Sequence, residues 1–148
     1  MLIECLEKPN ASEYAVLLEV WESSVRATHT FLSESDIVGL RPQVLEGFRA
    51  VSLYAAWDNG GVKGFAGISE DKLEMLFVRA EARGQGAGRA LLRYALGAGV
   101  TRLDVNEQNP QAVGFYTRMG FKVTGRSAVD GQGRPFPLLH MRFAGYAE

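Results

Sequence analysis

Leu73-Glu74-Met75-Leu76-Phe77-Val78-Arg79-Ala80-Glu81-Ala82-Arg83-Gly84-Gln85-Gly86-Ala87-Gly88-Arg89-Ala90-Leu91-Leu92 is the stretch on which the fold turns. It opens as an apolar strand and closes as the start of a helix, with glycines at 84, 86 and 88 between the two. Glycine lacks Cβ, so the chain there can approach an anion closely and aim several N–H groups at it. The first turn of the following helix adds roughly half a positive charge, and Arg83 and Arg89 add whole ones. The run Gly84, Gln85, Gly86, Ala87, Gly88 therefore reads as a cradle for a pyrophosphate.

Two familiar cradles are disfavoured. A P-loop ends in Gly-Lys-Ser/Thr, whereas Gly88 is followed by Arg89-Ala90. A dinucleotide fingerprint needs a third glycine at a spacing that positions 89 and 91, Arg and Leu, do not provide. Two hairpin strands also precede the turn, in place of the N-terminal parallel strand of a dinucleotide fold. What remains is Arg83-x-x-Gly86-x-Gly88 between a strand and a helix.

Outward from this turn the chain alternates strand and helix signals. Residues 2–7 suit a short strand, and Asn10 or Ser12 can cap a helix whose apolar stripe is Tyr14, Leu17, Leu18, Trp21 and Val25, with His29 at its end. Residues 33–47 form a second helical stretch capped by Ser33 with Asp36, and Pro42 is expected to bend or divide it. Residues 51–58 and 62–69 are strands joined through Asn59-Gly60-Gly61, and 72–79 is a third. After the turn come a helix at 88–96, a strand at 102–106, a helix started by Asn109-Pro110 and ended by Gly120, and strands at 121–128 and 136–143. The order β-α-α-β-β-β-α-β-α-β-β predicts an α/β fold, or α+β, of three layers with a mixed sheet.

The chain has 148 residues, the size of one domain, and its 47% hydrophobic and 22% charged content is ordinary for a globular protein. With 16 Lys+Arg against 17 Asp+Glu, the charge of -1 disfavours a nucleic-acid binder acting by bulk electrostatics. The single Cys5, expected to be a small buried hydrophobe, excludes an internal disulfide, and with two histidines no metal is expected. Apolar runs such as 14–18 and 53–57 fall far short of the ~20 residues a membrane helix needs, and no secretion signal is visible. The expectation is one cytoplasmic domain, residues 1–148, with no membrane or nucleic-acid partner.

Arg83-x-x-Gly86-x-Gly88 resembles the acetyl-CoA pyrophosphate loop of the GNAT N-acetyltransferase superfamily. Downstream, Asn106-Glu107-Gln108-Asn109-Pro110-Gln111-Ala112-Val113-Gly114-Phe115-Tyr116-Thr117-Arg118-Met119-Gly120-Phe121 is similar to that family's other hallmark. The hallmark is an Asn cap, an Ala three residues on, a mid-helix Tyr and a Gly-Phe ending. Trp21-x-x-Ser24-Val25-x-Ala27-Thr28-His29-x-Phe31-Leu32, with Val123-Thr124-Gly125-Arg126-Ser127 and Pro135-Phe136-Pro137-Leu138-Leu139, resembles a subgroup of small bacterial members.

The resemblance implies a mostly antiparallel central sheet of about seven strands flanked by four helices, and acetyl-CoA as cosubstrate. It implies direct attack of a primary amine on the thioester in a ternary complex. Tyr116 would protonate the departing thiolate, and Asn109, besides capping its helix, would touch the pantetheine arm. Main-chain groups of Leu76, Phe77 and Val78 would bond the cofactor and the thioester oxygen, and Gly84 to Arg89 with Arg83 would take its diphosphate. A phenol of pKa ~10 can donate to a thiolate whose acid lies near ~8.5, and such help is worth about 10²–10⁴ in rate.

The proton on the amine has two comparable takers. Glu74 sits within an apolar strand, where burial would make it more basic, and Asp104 alternates with Leu103 and Val105 so that it shares a face with Asn106. A chain of water is the alternative. His29, near where acceptors enter in this family, and Asn106 with Glu74 are the acceptor-lining residues; His140 could face the same side. Trp21, Phe31 and Trp57 are core or cleft wall. The acceptor is a small-molecule amine or a protein amine, lysine or N-terminal, and the protein a monomer or homodimer. A module that only senses acetyl-CoA or CoA is the competing class.

Overall fold

Short polar side chains fix the first two helices by bonding back to the main chain. Asn10 Oδ1 accepts from the Glu13 N–H at 2.9 Å and Glu13 Oε1 accepts from the Asn10 N–H at 3.0 Å, starting α1 (Ala11–Thr28). Ser33 and Asp36 form the same reciprocal pair at the start of α2 (Glu34–Arg49). Each pair satisfies N–H groups that a helix start leaves without partners. The face α1 buries is Leu17, Val20, Trp21, Ser24 and Val25, with Tyr14 and Leu18 only half-buried at its margin. That face is rotated from the one the periodicity predicts, because α1 packs on α2 as well as on the strands beneath.

In this computed structural model, which describes residues 1–145, α2 runs unbroken through Pro42. The expected division is absent. Proline removes one N–H from the ladder, the donor to residue 38. Val38 is 47% exposed, so water can solvate that turn while Ile37 and Phe48 hold the helix to the core.

The described residues fall into two compact units, 1–100 and 101–145. In the first, β1 (Leu2–Leu6), β2 (Ser52–Asp58), β3 (Gly61–Ser69) and β4 (Lys72–Val78) pair antiparallel in that order. The β2–β3 turn uses Gly60 and Gly61 at φ +95° and +130°. Helix α3 (Ala87–Gly97) buries Leu91, Leu92 and Ala95 against β2, β3 and β4. Gly64 lets these layers close: a Cβ there would sit 2.8 Å from the Phe77 carbonyl oxygen and 3.3 Å from Leu91 Cδ1. Cys5 is exposed on β1, contrary to expectation. It is paired with Tyr54 on the outward row of that strand, while Leu6 packs against the core.

The second unit comprises β5 (Arg102–Asn106), α4 (Pro110–Arg118), β6 (Phe121–Ser127) and β7 (Leu138–Phe143). β7 lies between β5 and β6, antiparallel to both. It begins at Leu138, two residues later than expected, since Pro135 and Pro137 lack the N–H a ladder needs. Seven strands and four helices thus follow in the predicted order, a mixed α/β fold. Among the described residues no helix is long and apolar enough to cross a membrane.

Gly120 ends α4 at φ +99°, and a Cβ on it would collide with the carbonyl oxygen of Gly145 and come within 3.0 Å of Phe143 Cε1. Gly120→Ala should therefore lower stability by about 2 kcal/mol or more, read as a fall in the urea midpoint with an unchanged slope.

Candidate active site

The glycine turn is held from behind by side chains and main chain of its own unit. The Arg79 N–H donates to the Lys63 carbonyl at 2.8 Å, and Arg79 Nε to the Val62 carbonyl at 2.8 Å. The Ala80 N–H donates to Ser23 Oγ of α1 at 3.0 Å, starting a single 3₁₀ turn, Ala80–Ala82. Gly84 and Gly86 then take φ +79° and +94°, and a Cβ on either would meet nothing within 4 Å. Gly86 caps α3 with no side-chain hydrogen bond, and the first intrahelical bond runs from the Ala90 N–H to the Gly86 carbonyl at 3.0 Å. The N–H groups of Ala87, Gly88 and Arg89 consequently have no partner within the helix. Arg83 and Arg89 are exposed beside them. This end of α3 can hold an anion of diphosphate size.

On β4, Leu76, Phe77 and Val78 are partly buried and pair with Ala66, Phe65 and Gly64. Glu74 differs from expectation. It is exposed and faces Lys72, with 3.7 Å between Oε1 and Nζ. The two residues share one face of the strand, so the apolar neighbours Leu73 and Met75 point the other way and do not desolvate the carboxylate.

In the second unit, Asn109 is 6% exposed and its Oδ1 accepts from the Ala112 N–H at 3.2 Å, starting α4. Tyr116 follows on the same helix, 8% exposed, its ring 5.3 Å from Phe115 and 6.0 Å from Phe121. Burial pushes its phenol well above the ordinary tyrosine range, so it stays protonated at neutral pH. Asn106 Oδ1 accepts from the Gln108 N–H at 2.9 Å, a local turn that leads into α4. Asp104 Oδ1 lies 2.6 Å from His140 Nδ1, and His140 Nε2 lies 2.7 Å from Ser127 Oγ. Sequence reasoning singled out Asp104 and left Ser127 unremarked; only strand register, which puts Asp104 opposite His140, reveals the group.

His29 is the last residue of the α1 cap, its N–H bonded to the Val25 carbonyl at 2.8 Å and its Nδ1 2.8 Å from Thr28 Oγ1. Phe31 packs on its ring at 5.3 Å. Trp57 is 37% exposed, with Nε1 donating to Glu4, and it is a cleft wall rather than core. A cleft of about 470 Å³ bounded by Trp57, Lys63, Arg79 and Glu81 contains none of the residues expected to act.

Burial pushes the His29 imidazole down to about 4. A folded-state value below the unfolded one, near ~6.5, adds stability that is complete above pH ~6.5 and is lost as pH falls through about 4. Thermal unfolding between those limits should show a decline that is shallower in His29→Gln; identical slopes in the two proteins would refute the assignment.

The GNAT acetyltransferase domain family matches residues 26–143. The peptidyl-lysine N-acetyltransferase YjaB of Salmonella typhimurium is 44% identical over 128 residues, covering 84% of this chain and 88% of that protein. The peptidyl-lysine N-acetyltransferase YjaB of Escherichia coli is 38% identical over 97% of this chain and 99% of its own. The solution structure of its apo form has a TM-score of 0.84, covering 98% of this chain and 99% of that one. The PaiA N-acetyltransferase of Thermoplasma acidophilum, solved in complex with coenzyme A, shares the fold at a TM-score of 0.68 and 23% identity, covering 97% of this chain and 100% of that one. With a bare helix start after β4 and an Asn-capped, Tyr-bearing α4, the chain belongs to the GNAT family and is an acetyl-CoA-dependent N-acetyltransferase.

Proposed function

We propose that the protein transfers the acetyl group of acetyl-CoA to the ε-amine of lysine in a protein, by direct attack within a ternary complex. The observation that carries the cofactor half is the start of α3, where no side chain caps the first turn and the space beside Gly84 and Gly86 is open. A diphosphate supplies oxygens to those donors and negative charge to the helix end. Arg83 and Arg89 hold the same charge from outside the turn. The acceptor half is supported by the two YjaB relatives, both named for peptidyl-lysine.

Leu76, Phe77 and Val78 offer main-chain groups to the pantetheine and the thioester oxygen, a task that needs backbone and no particular side chain. Asn109 spends its side-chain oxygen on the α4 cap and keeps its amide N–H₂ for the pantetheine. Tyr116 is the general acid for the sulfur. Its buried phenol holds a proton at any pH where lysine chemistry runs.

Two variants test the cofactor and acid roles. Gly86→Val places a branched side chain at φ +94° in the mouth of the cradle, and coenzyme A affinity measured by calorimetry should fall at least about 100-fold while the circular dichroism stays native. Tyr116→Phe should lower kcat by about 10²–10⁴ with little change in the KM for acetyl-CoA. Mass spectrometry of a lysine-peptide panel checks the acceptor. Acetylation of small amines alone would overturn the lysine reading, and coenzyme A binding with no amine-dependent thiol release would make the protein a sensor.

A further inference from the structure

A lysine ammonium, pKa ~10.4, is almost wholly protonated at neutral pH and cannot attack a thioester until a proton leaves. Glu74 is exposed and paired with Lys72, whereas the second unit holds a hydrogen-bonded group of three side chains. There Asp104, His140 and Ser127 come from three adjacent strands, β5, β7 and β6. Their polar atoms are 2.6 Å and 2.7 Å apart in sequence, carboxylate to Nδ1 and Nε2 to hydroxyl. The imidazole lies against Gly125, where a Cβ would stand 3.4 Å from His140 Cδ2. The ring thus crosses the one position of β6 that lacks a side chain and reaches Ser127, two residues further on.

We propose that this chain is a proton relay, in which His140 is the base, Asp104 its orienting partner and Ser127 Oγ the point of entry. The proposal rests on the lysine reading above. A carboxylate at Nδ1 holds the proton on that nitrogen and leaves the Nε2 lone pair directed at Ser127. Ser127 is the last residue of β6, partly exposed at the mouth of the connection 128–137, so an ammonium can reach its oxygen. One N–H bond of the ammonium breaks and its proton goes to Ser127 Oγ. The hydroxyl proton of Ser127 moves to Nε2, giving an imidazolium held by Asp104. The neutral amine then forms the C–N bond, the C–S bond breaks, and the thiolate takes a proton from Tyr116. The second N–H proton, lost as the amide forms, restores the phenol, and the proton on His140 leaves to solvent.

Charges facing His140 within this unit are few. Asp104 bonds its Nδ1, while Arg102 of β5, Arg142 of β7 and Lys122 of β6 occupy the next register row. Arg126 and Glu107 are paired with each other.

Two measurements test the relay separately from the acetyl-transfer reading. Nitrogen-15 spectra of the imidazole, taken without cofactor, should show a proton on Nδ1 and a bare Nε2, and Asp104→Asn should redistribute the tautomers. With lysine peptide and saturating acetyl-CoA, His140→Asn should lower kcat/KM about 100-fold at pH 7, and the deficit should shrink as pH rises and free amine becomes abundant. Ser127→Ala should fall between His140→Asn and wild type. Asp104→Asn should lose about tenfold or more. If the tautomer is the reverse, or if His140→Asn keeps the wild-type pH profile with unchanged acetyl transfer, the relay is wrong. Absence of acetyl transfer in the wild type, with the Nδ1-protonated tautomer present, would overturn the lysine chemistry and leave the hydrogen-bonded group without its proposed use.

Discussion

Helix α3 begins on a residue that cannot cap it, and the rest of the site depends on that omission. Most helix starts place Ser, Thr, Asp or Asn before the first turn, as Asn10, Ser33 and Asn109 do in this chain. Gly86 supplies no oxygen and takes a φ of +94°, so the donors of the first turn stay available. Such a start costs stability, and the protein offsets it by fastening the approach. Arg79 bonds twice to β3, Ala80 bonds to Ser23 of α1, and Leu91 and Leu92 are wholly buried. The turn is therefore rigid behind and bare in front, which is the arrangement an oxyanion needs if binding is not to require reorganisation.

The second unit solves a different problem with the same economy of local structure. A three-stranded antiparallel arrangement with β7 in the middle sets residues from three separate stretches of sequence side by side. Register decides which ones meet. The bulge between Val123 and Gly125 brings a glycine opposite His140, whose ring lies against it. Moving the register by one residue would turn Asp104 and His140 to opposite faces and leave Leu103 or Val105 in their place.

What was legible in the sequence follows the range of the interaction involved. Asn10 with Glu13, Ser33 with Asp36 and Asn109 with Ala112 act over three residues, and all three helix starts were readable. The glycine turn was readable because it needs no distant partner. Pro42 was misjudged because its effect depends on whether Val38 meets water, a tertiary fact. Cys5 was misjudged because alternation alone does not say which row of β1 faces out. Glu74 was misread as buried because apolar sequence neighbours on a strand lie on its opposite face, and Lys72, its companion, is two residues away. Ser127 stood in the segment that resembles a family subgroup, but its bond to His140, thirteen residues distant, is found only through strand pairing.

In the proposed mechanism, with Tyr116 as the acid, the buried phenol ties the two halves of the proton chemistry together. A tyrosine whose proton is held more tightly than usual gives it up reluctantly to a thiolate whose acid lies near ~8.5, so a complete transfer is uphill. Donation becomes favourable only while negative charge is building on sulfur and the same phenol is regaining a proton from elsewhere. The amide nitrogen is the natural source, because its N–H turns strongly acidic once the C–N bond has formed. That leaves the first ammonium proton as the one the protein must remove before any bond is made, at a stage when Tyr116 is fully protonated and cannot accept it. In the proposed relay that proton goes to the His140 imidazole, which Asp104 holds at Nδ1 and Ser127 meets at Nε2.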